Sequence, residues 1–166
     1  MRRKVFKGRL LTVFDSRLKL PNGRTGRFDE IRHPGAALIV PFLGEDIVLI
    51  RQYRAVIGKY LWEFPAGILE KGETPLACAK RELIEETGYA ILGIKKLGKI
   101  YTSPGFCDEV IHVYRAVCGV QGSHNRDHDE VIRVRRMKRL YVRKLLRNGR
   151  ILDSKTIAAL ALAGIA

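Results

Sequence analysis

The chain has 166 residues and a mass of 18.8 kDa, which is the size of one domain. Hydrophobic residues make up 46% and charged residues 29%, so the composition is that of a folded globular protein and excludes wholesale disorder. Lys and Arg number 31 against 17 Asp and Glu, and the resulting net charge of +14 indicates an anionic partner, either nucleic acid or a phosphorylated small molecule.

The cysteines and the hydropathy of the chain limit the class of protein and the cellular compartment that we expect. The three cysteines form no Cys-x-x-Cys pair, which argues against a disulfide framework or a zinc site. The basic N-terminal segment lacks the apolar stretch of a secretory signal, and no apolar run approaches the roughly 18–20 residues that span a bilayer. We therefore expect a soluble, cytoplasmic protein with no membrane partner.

Short runs of apolar and β-branched residues predict strands along much of the chain. The Ala36–Phe42 run is almost continuously apolar, which is typical of a strand buried on both faces. Pro and Gly predict a loop over 62–72, and polar residues predict another over 119–130. In chain order, the predicted strands are Val5–Phe14, Arg17–Leu20, Arg24–Arg32, Ala36–Phe42, Ile47–Tyr53, Gly98–Thr102, Val110–Cys118 and Val131–Val134.

Three helices are predicted between and after these strands. The first covers Pro75–Thr87, because Thr74 is a good N-cap and Gly88 is a typical helix stop. The other two are predicted at Arg139–Arg147 and from Asp153, as N-cap, to about Ala163. Interleaved strands and helices give an α/β or α+β class with a mixed sheet.

The positive charge is unevenly distributed. Residues 131–150, the basic tract, carry nine basic residues and no acid, whereas 63–90 carry six acids and three bases. The basic tract is compatible with a solvated helix face, with a nucleic-acid or acidic-partner patch, or with ion pairing in a heat-stable protein. Within the tract the only aromatic residue is Tyr141, which argues against a stacking platform for single strands.

Three carboxylates cluster near the end of the first predicted helix. Glu82, Glu85 and Glu86 stand at i, i+3 and i+4, so they share adjoining faces of one turn. They repel one another, and the helix dipole disfavours anions at that end. A hard divalent cation such as Mg²⁺ would stabilise them.

The wider pattern resembles the Nudix box. Gly67, Glu73 and Arg81–Gly88 match Gly-x5-Glu-x7-Arg-Glu-aliphatic-x-Glu-Glu-x-Gly, and only the final aliphatic position differs, because it is Tyr89. The segments RHPGAALIVP, RQYR, WEFPAG and SPGFCDE resemble the ADP-ribose pyrophosphatase branch of the Nudix hydrolases.

The resemblance implies a Nudix fold, in which a mixed sheet lies between helices and an antiparallel β-region precedes it. The catalytic domain would then be 34–166. Residues 1–33 would form the β-region, which in this branch exchanges between the two subunits of a homodimer that builds each substrate site from both chains.

The resemblance also implies a set of site residues. Glu82 and Glu86, the backbone carbonyl of Ala66 and the distal carboxylate Glu130 would bind Mg²⁺, or Mn²⁺ in its place. Glu85 would be a third ligand or hold water, and Glu73 would bridge to Arg81 or to nearby backbone. Arg81 itself would orient carboxylates.

The general base would come from the polar loop. Asp127, His128 and Asp129 are the candidates there, and a histidine of ordinary pKa can serve as a base.

The residues proposed to contact the substrate lie outside the Nudix box, so the resemblance supports them less specifically than it supports the residues within the box. Arg54 would bind phosphate, since a guanidinium matches phosphate oxygens bidentately. Arg27, Arg32 and Glu63 are candidates for adenine or ribose contacts, and Glu109 for contact with the terminal ribose or with a metal-bound water.

The predicted function is Mg²⁺-dependent hydrolysis of ADP-ribose to AMP and ribose 5-phosphate. The alternatives are a Nudix hydrolase of another nucleoside diphosphate sugar, a dinucleotide or NADH, or an RNA-processing or RNA-binding protein that uses the basic tract.

Overall fold

A computed structural model describes residues 1–123 and 131–166 of the chain. Its strands are β1 (Arg2–Lys7), β2 (Thr12–Lys19), β3 (Thr25–Arg32), β4 (Ala36–Leu43), β5 (Asp46–Arg54), β6 (Lys59–Glu63), β7 (Ala66–Ile68), β8 (Tyr89–Tyr101), β9 (Val110–Gln121) and β10 (Ile132–Lys138). Its α-helices are α1 (Pro75–Thr87), α2 (Arg139–Arg147) and α3 (Ser154–Leu162).

The strands form two sheets. β1, β2 and β3 make an antiparallel N-terminal sheet. The second sheet has the order β10-β5-β4-β9-β8, and it is mixed because β4 and β9 run parallel. The N-terminal sheet meets the rest of the chain through Ile31, whose backbone exchanges hydrogen bonds with Phe106 and Asp108 at 2.7 and 3.2 Å. The predicted α+β class with an N-terminal antiparallel region is confirmed.

β4 divides the core into two layers, as its continuous apolar sequence predicts. Leu38 and Val40 face a cluster that includes residues of α2 and α3, while Ala37 and Ile39 face a cluster that includes residues of α1. Neighbouring side chains of a strand point to opposite faces, so a strand buried on both faces must be apolar at every position. The mixed sheet therefore lies between α1 on one side and α2 and α3 on the other.

α1 has the bounds that its capping residues predict. Thr74 Oγ1 accepts a hydrogen bond from the Ala77 amide at 3.2 Å, and Pro75 occupies the first turn. Gly88 ends the helix with φ 74°, a left-handed conformation that favours glycine. Asp153 caps α3 as predicted, by accepting from the Thr156 amide at 2.9 Å.

The prediction of a loop over 62–72 is wrong for part of its length. β4 and β5 pair only next to their hairpin, at Phe42–Ile47 and Leu43–Asp46, and then diverge. β6 completes the free edge of β5, and β7 completes that of β4. These strands form because distant partners satisfy their backbone groups, which no local pattern around a Pro and two Gly could reveal.

Other strand predictions also have wrong bounds. The predicted strand Arg17–Leu20 corresponds to the end of β2, which begins at Thr12, and Val110–Cys118 extends as β9 to Gln121. Gly98–Thr102 is the end of the much longer β8, whose register shifts near Gly93 and Gly98 hide the alternation of side chains. Val5–Phe14 is interrupted by a turn closed by the Gly8 amide on the Leu11 carbonyl at 2.9 Å. The predicted strand at 131–134 continues, as β10, to Lys138.

The helices of the described residues have at most 13 residues. None of them is long and apolar enough to cross a membrane.

Candidate active site

The guanidinium of Arg81 joins the carboxylates of the box. Its Nε and Nη2 donate to the two oxygens of Glu73 at 2.9 and 3.0 Å, and its Nη1 donates to Glu82 at 2.6 Å and Glu85 at 3.1 Å. Nη2 also donates to the backbone carbonyl of Ile68 at 3.2 Å. One side chain of α1 thus bridges three carboxylates, offsets part of their charge and ties the helix to β7.

Glu73 is the fixed partner in this network. Besides Arg81, it accepts a hydrogen bond from the Glu70 amide at 3.0 Å. The hydrogen bond from Arg81 lowers the pKa of Glu73 to about 2, more than enough to offset the cost of its desolvation. The predicted bridge from Glu73 to Arg81 and to nearby backbone is confirmed.

Glu82 and Glu86 are buried one helical turn apart, with 8% and 1% of their surface exposed. Glu85 is more accessible, with 38% of its side chain exposed. Buried carboxylates are costly unless a cation compensates them. The face of α1 towards β7 therefore concentrates negative charge in the interior, while Glu85 reaches its rim.

Gly67 is required beneath Glu82. A Cβ at position 67 would lie 1.7 Å from Glu82 Oε1 and 2.0 Å from Glu82 Cδ, so the carboxylate occupies the space that a side chain would need. The thiol of Cys78 supports the same strand by donating to the Gly67 carbonyl at 3.5 Å. Burial raises the pKa of Cys78 to about 12, which keeps this thiol protonated.

These residues fit a divalent cation. The side chains here offer carboxylate oxygens, which hard cations prefer, and Ala66 is the residue of β7 that precedes Gly67. Within 1–123 and 131–166, no three acidic, histidine or cysteine side chains form a preassembled metal cluster, and Arg81 lies between Glu82 and Glu85.

Arg54 and Glu63 form a second charged network. Arg54 Nε and Nη2 donate to the two oxygens of Glu63 at 2.8 and 2.6 Å, and Lys155 of α3 donates to the same carboxylate. Burial alone would raise the pKa of Glu63, but Arg54 and Lys155 outweigh it and hold that pKa below its usual value. The pKa of Arg54 is raised, chiefly by its hydrogen bonds with Glu63 and to a lesser extent by the charges of Asp153 and Glu86.

Three predicted substrate residues, Arg27, Arg32 and Glu109, lie in or beside the N-terminal sheet. Arg27 forms a bidentate ion pair with Asp15 at 2.8 and 2.9 Å. Arg32 pairs with Asp108 at 2.7 Å. Glu109 accepts from Thr102 at 2.7 Å. The described contacts of these residues do not join them to the carboxylates of α1.

The predicted residues Asp127, His128, Asp129 and Glu130 lie outside the described residues. The backbone on either side of them is anchored near the box. The Gly122 amide donates to the carbonyl of Gly88, the C-cap of α1, at 2.8 Å. On the other side, the Val131 carbonyl accepts from the Tyr53 amide, one residue before Arg54, at 3.0 Å.

Lys155 was missed by the sequence analysis. It is 92 residues from Glu63 and pairs with both Glu63 and Asp153, the latter at 2.8 Å. Asp153 marks the start of a helix in the sequence, but no pattern indicates that this helix end meets the strand of Glu63.

The comparisons with known proteins agree with this geometry. The model of the NUDIX domain matches residues 32–160. The chain belongs to the Nudix family. It is 38% identical to the methanol dehydrogenase activator of Bacillus methanolicus, covering 93% of this chain and 85% of that protein. It is 35% identical to the ADP-ribose pyrophosphatase of Bacillus subtilis (strain 168), covering 94% of this chain and 86% of that protein.

A solved structure extends the comparison to the fold. The crystal structure of an ADP compounds hydrolase superposes with a TM-score of 0.84 at 24% identity, covering 98% of this chain and 89% of that one. The predicted Nudix fold and the resemblance to ADP-ribose pyrophosphatases are therefore confirmed, and the chain is a Nudix hydrolase. Nudix hydrolases generally use divalent metal ions.

We expect Gly67→Ala to lower the hydrolytic rate about 100-fold while leaving the fold intact. The added methyl group displaces the Glu82 carboxylate, and a misplacement of about 1 Å at a reacting centre can cost this much. The rate should be measured on nucleoside diphosphate substrates, together with the thermal midpoint. Gly93→Ala is the matched control, because a Cβ at Gly93 meets no atom within 4 Å. Equal rates for the two variants would contradict this account of Gly67.

Proposed function

We propose that this Nudix hydrolase cleaves the pyrophosphate of ADP-ribose to AMP and ribose 5-phosphate, with Mg²⁺ as cofactor and Mn²⁺ as a substitute. The observation that carries the proposal is the pair of buried carboxylates one turn apart on α1, Glu82, which Arg81 holds over Gly67, and Glu86. The Bacillus subtilis ADP-ribose pyrophosphatase, similar over 94% of this chain, supports the choice of substrate.

Glu82, Glu86 and the backbone carbonyl of Ala66 are the proposed metal ligands, with Glu130 as the distal one. When bound, a divalent cation neutralises the charge of a diphosphate and makes water a better nucleophile. The protein contributes the fixed positions of the carboxylates. Arg81 holds Glu82 and Glu85, and Glu73 holds Arg81.

Glu85 is the proposed catalytic carboxylate on α1. It is one turn after Arg81, which donates to it at 3.1 Å, and its side chain is partly exposed where a diphosphate can approach. A carboxylate so placed can accept a hydrogen bond from the attacking water and orient it.

The general base is proposed to be one of Asp127, His128 and Asp129. The support is the position of the neighbouring backbone, since Gly122 is bonded to the C-cap of α1 and Val131 to the strand of Arg54. A carboxylate or an imidazole is a residue type that can accept a proton from an attacking water.

Arg54 is the proposed ligand of the diphosphate. Glu63 engages Nε and Nη2 of its guanidinium and so fixes the orientation of the plane. A guanidinium has five N–H donors, so donors remain for phosphate oxygens. Glu63 therefore acts on the substrate through Arg54, while Arg27, Arg32 and Glu109 remain proposed contacts of adenine or ribose.

The direct test is product analysis of the purified protein with Mg²⁺ on ADP-ribose. We expect AMP and ribose 5-phosphate in equal amounts, and a loss of more than about 100-fold in kcat/KM for Glu86→Gln, because a lost metal ligand removes several kcal/mol of transition-state stabilisation. Glu45→Gln, an exposed carboxylate in the β4–β5 turn, is the matched control.

The same assay distinguishes the alternatives. A panel of ADP-ribose, other nucleoside diphosphate sugars, NADH and dinucleotides ranks the substrates by kcat/KM. The proposal fails if ADP-ribose is not among the best substrates, and the metal assignment fails if Glu86→Gln retains a rate within about tenfold of the wild type.

We also propose that the chain is a homodimer joined through the N-terminal β-region, residues 1–33. Every residue of β1 is exposed, including Val5 and Phe6 with 51% and 58% of their surface. The chain exposes 10299 Å², whereas a compact monomer of this mass exposes about 8,300 Å². The excess exceeds the roughly 800 Å² that each partner buries in a standard interface.

We expect Phe6→Asp to convert the dimer to a monomer, because a buried charge at the interface is costly. Light scattering should give a mass near 18.8 kDa for the variant and about twice that value for the wild type. Leu140→Asp is the control, since Leu140 is 78% exposed on α2. A monomeric wild type, or a dimeric Phe6→Asp variant, would contradict the proposal.

A further inference from the structure

An aromatic and basic groove lies on the face of the sheet that α2 and α3 cover. We call it the arginine groove. It has a cavity of about 330 Å³ lined by Arg51, Tyr60, Trp62, Arg133 and Arg135. An adjoining cavity of about 450 Å³ extends it to Tyr141 and Arg150. Four arginines and three aromatic rings therefore share one open surface, and no acidic residue is among the described residues that line either cavity.

The strand register creates the groove. Arg51 of β5 is directly opposite Trp62 of β6 on one side and Arg133 of β10 on the other. Residues paired across strands point to the same face. The Arg51 guanidinium lies 4.9 Å from the Trp62 ring centre and 6.0 Å from that of Tyr60. The row thus places an aromatic ring, a stacked guanidinium and a second guanidinium side by side.

The positive charges of the groove lack acidic partners within the described parts of the chain. No ion pair there involves Arg51, Arg133, Arg135 or Arg150. The next residues along β10 and β5 behave differently, since Arg136 and Lys138 pair with Asp46, and Arg54 pairs with Glu63. Adjacent like charges without compensation destabilise a sheet. An anionic ligand would therefore stabilise this row of arginines by reducing their mutual repulsion.

The groove is separate from the candidate active site. Trp62 packs against the core cluster that includes Val142 of α2 and Leu160 of α3. Leu83 of α1 belongs to the cluster on the opposite face of the sheet. A ligand in the groove would therefore not occupy the carboxylate site of α1.

The basic surface continues beyond the groove. On α2, Arg143, Lys144 and Arg147 line a further depression of about 190 Å³. A surface that repeats positive charge over two elements matches a ligand that repeats negative charge, more closely than one that carries a single phosphate group.

We propose that the arginine groove binds single-stranded nucleic acid. A base stacks on Tyr60 or on the Arg51 guanidinium that lies over Trp62. Arg133 and Arg135 of β10 hold the flanking phosphates. Aromatic rings beside a basic track are the features by which proteins bind single strands without sequence preference. A duplex, whose bases are already stacked within it, has no base to place on this surface.

Trp62 provides a direct readout, because it is the only tryptophan in the chain. Titration of the wild-type protein with an unlabelled single-stranded RNA of about 12 nucleotides should quench its fluorescence to saturation. The same concentration of nucleotides supplied as AMP should quench far less. A duplex of the same sequence should leave the emission unchanged.

Charge-neutralising variants test the role of the arginines. Arg133→Gln combined with Arg135→Gln should weaken RNA binding at least tenfold, measured by anisotropy of a labelled strand. If each arginine contacts one phosphate, the double variant should also reduce the slope of log K against log salt by about 1.4. Hydrolysis of ADP-ribose should be unchanged, which separates this proposal from the proposed function.

The matched control is Lys95→Gln combined with Lys96→Gln, which removes the same charge from exposed positions of β8. Trp62→Leu adds a test of stacking and should weaken binding about tenfold. The proposal is overturned if the two double variants bind RNA equally well. It is also overturned if saturating RNA leaves Trp62 emission unchanged, or if AMP or the duplex quenches as strongly as the single strand.

Discussion

The contact of one guanidinium with three carboxylates organises the candidate site. Arg81 reaches Glu73, Glu82 and Glu85 at once, and it also reaches the backbone of β7. Without it, α1 would bring several like charges together near its C-terminal end, where the helix dipole already disfavours anions. With it, Glu82 holds a fixed direction over Gly67, and Glu73 and Glu85 are tied to the same guanidinium, so the proposed cation would meet carboxylates that the protein already orients.

The mixed sheet separates the charges of the molecule into two regions. The carboxylates of the box lie on the face of the sheet that α1 covers. The arginine groove opens on the opposite face, which α2 and α3 cover. Because the two regions lie on opposite sides of a layer buried on both faces, each can keep its own sign of charge. The net charge of +14 therefore describes the surface around α2 and β10 more than the chemistry of the box.

Local patterns predicted the parts of the fold that local physics determines. Thr74 and Gly88 bounded α1 because caps depend on a few neighbouring residues, and Ala36–Phe42 predicted a strand buried on both faces because its composition requires it. The carboxylates of the box were found from spacing and resemblance together. β6 and β7 were missed because their partners are strands of the diverging β4–β5 pair, which no local sequence reports.

The same limit applies to the charged networks. Lys155 contacts Glu63, which is 92 residues away in the sequence. Trp62 and Arg133 lie in one row only because both are paired with Arg51, on neighbouring strands. The sequence of the basic tract argued against a stacking surface because Tyr141 is its only aromatic residue. The fold supplies Trp62 and Tyr60 from β6 instead, so the aromatic and basic parts of the groove come from separate segments.

The most direct test of the account is the affinity of the protein for Mn²⁺, measured by electron paramagnetic resonance, in the wild type and in Arg81→Lys. Lysine keeps the charge but cannot bridge Glu73 and Glu82 with a planar fork. If Arg81 prepares the carboxylates, the variant should bind Mn²⁺ about 10- to 100-fold more weakly with an unchanged fold. Wild-type affinity in a folded Arg81→Lys variant would contradict the central claim.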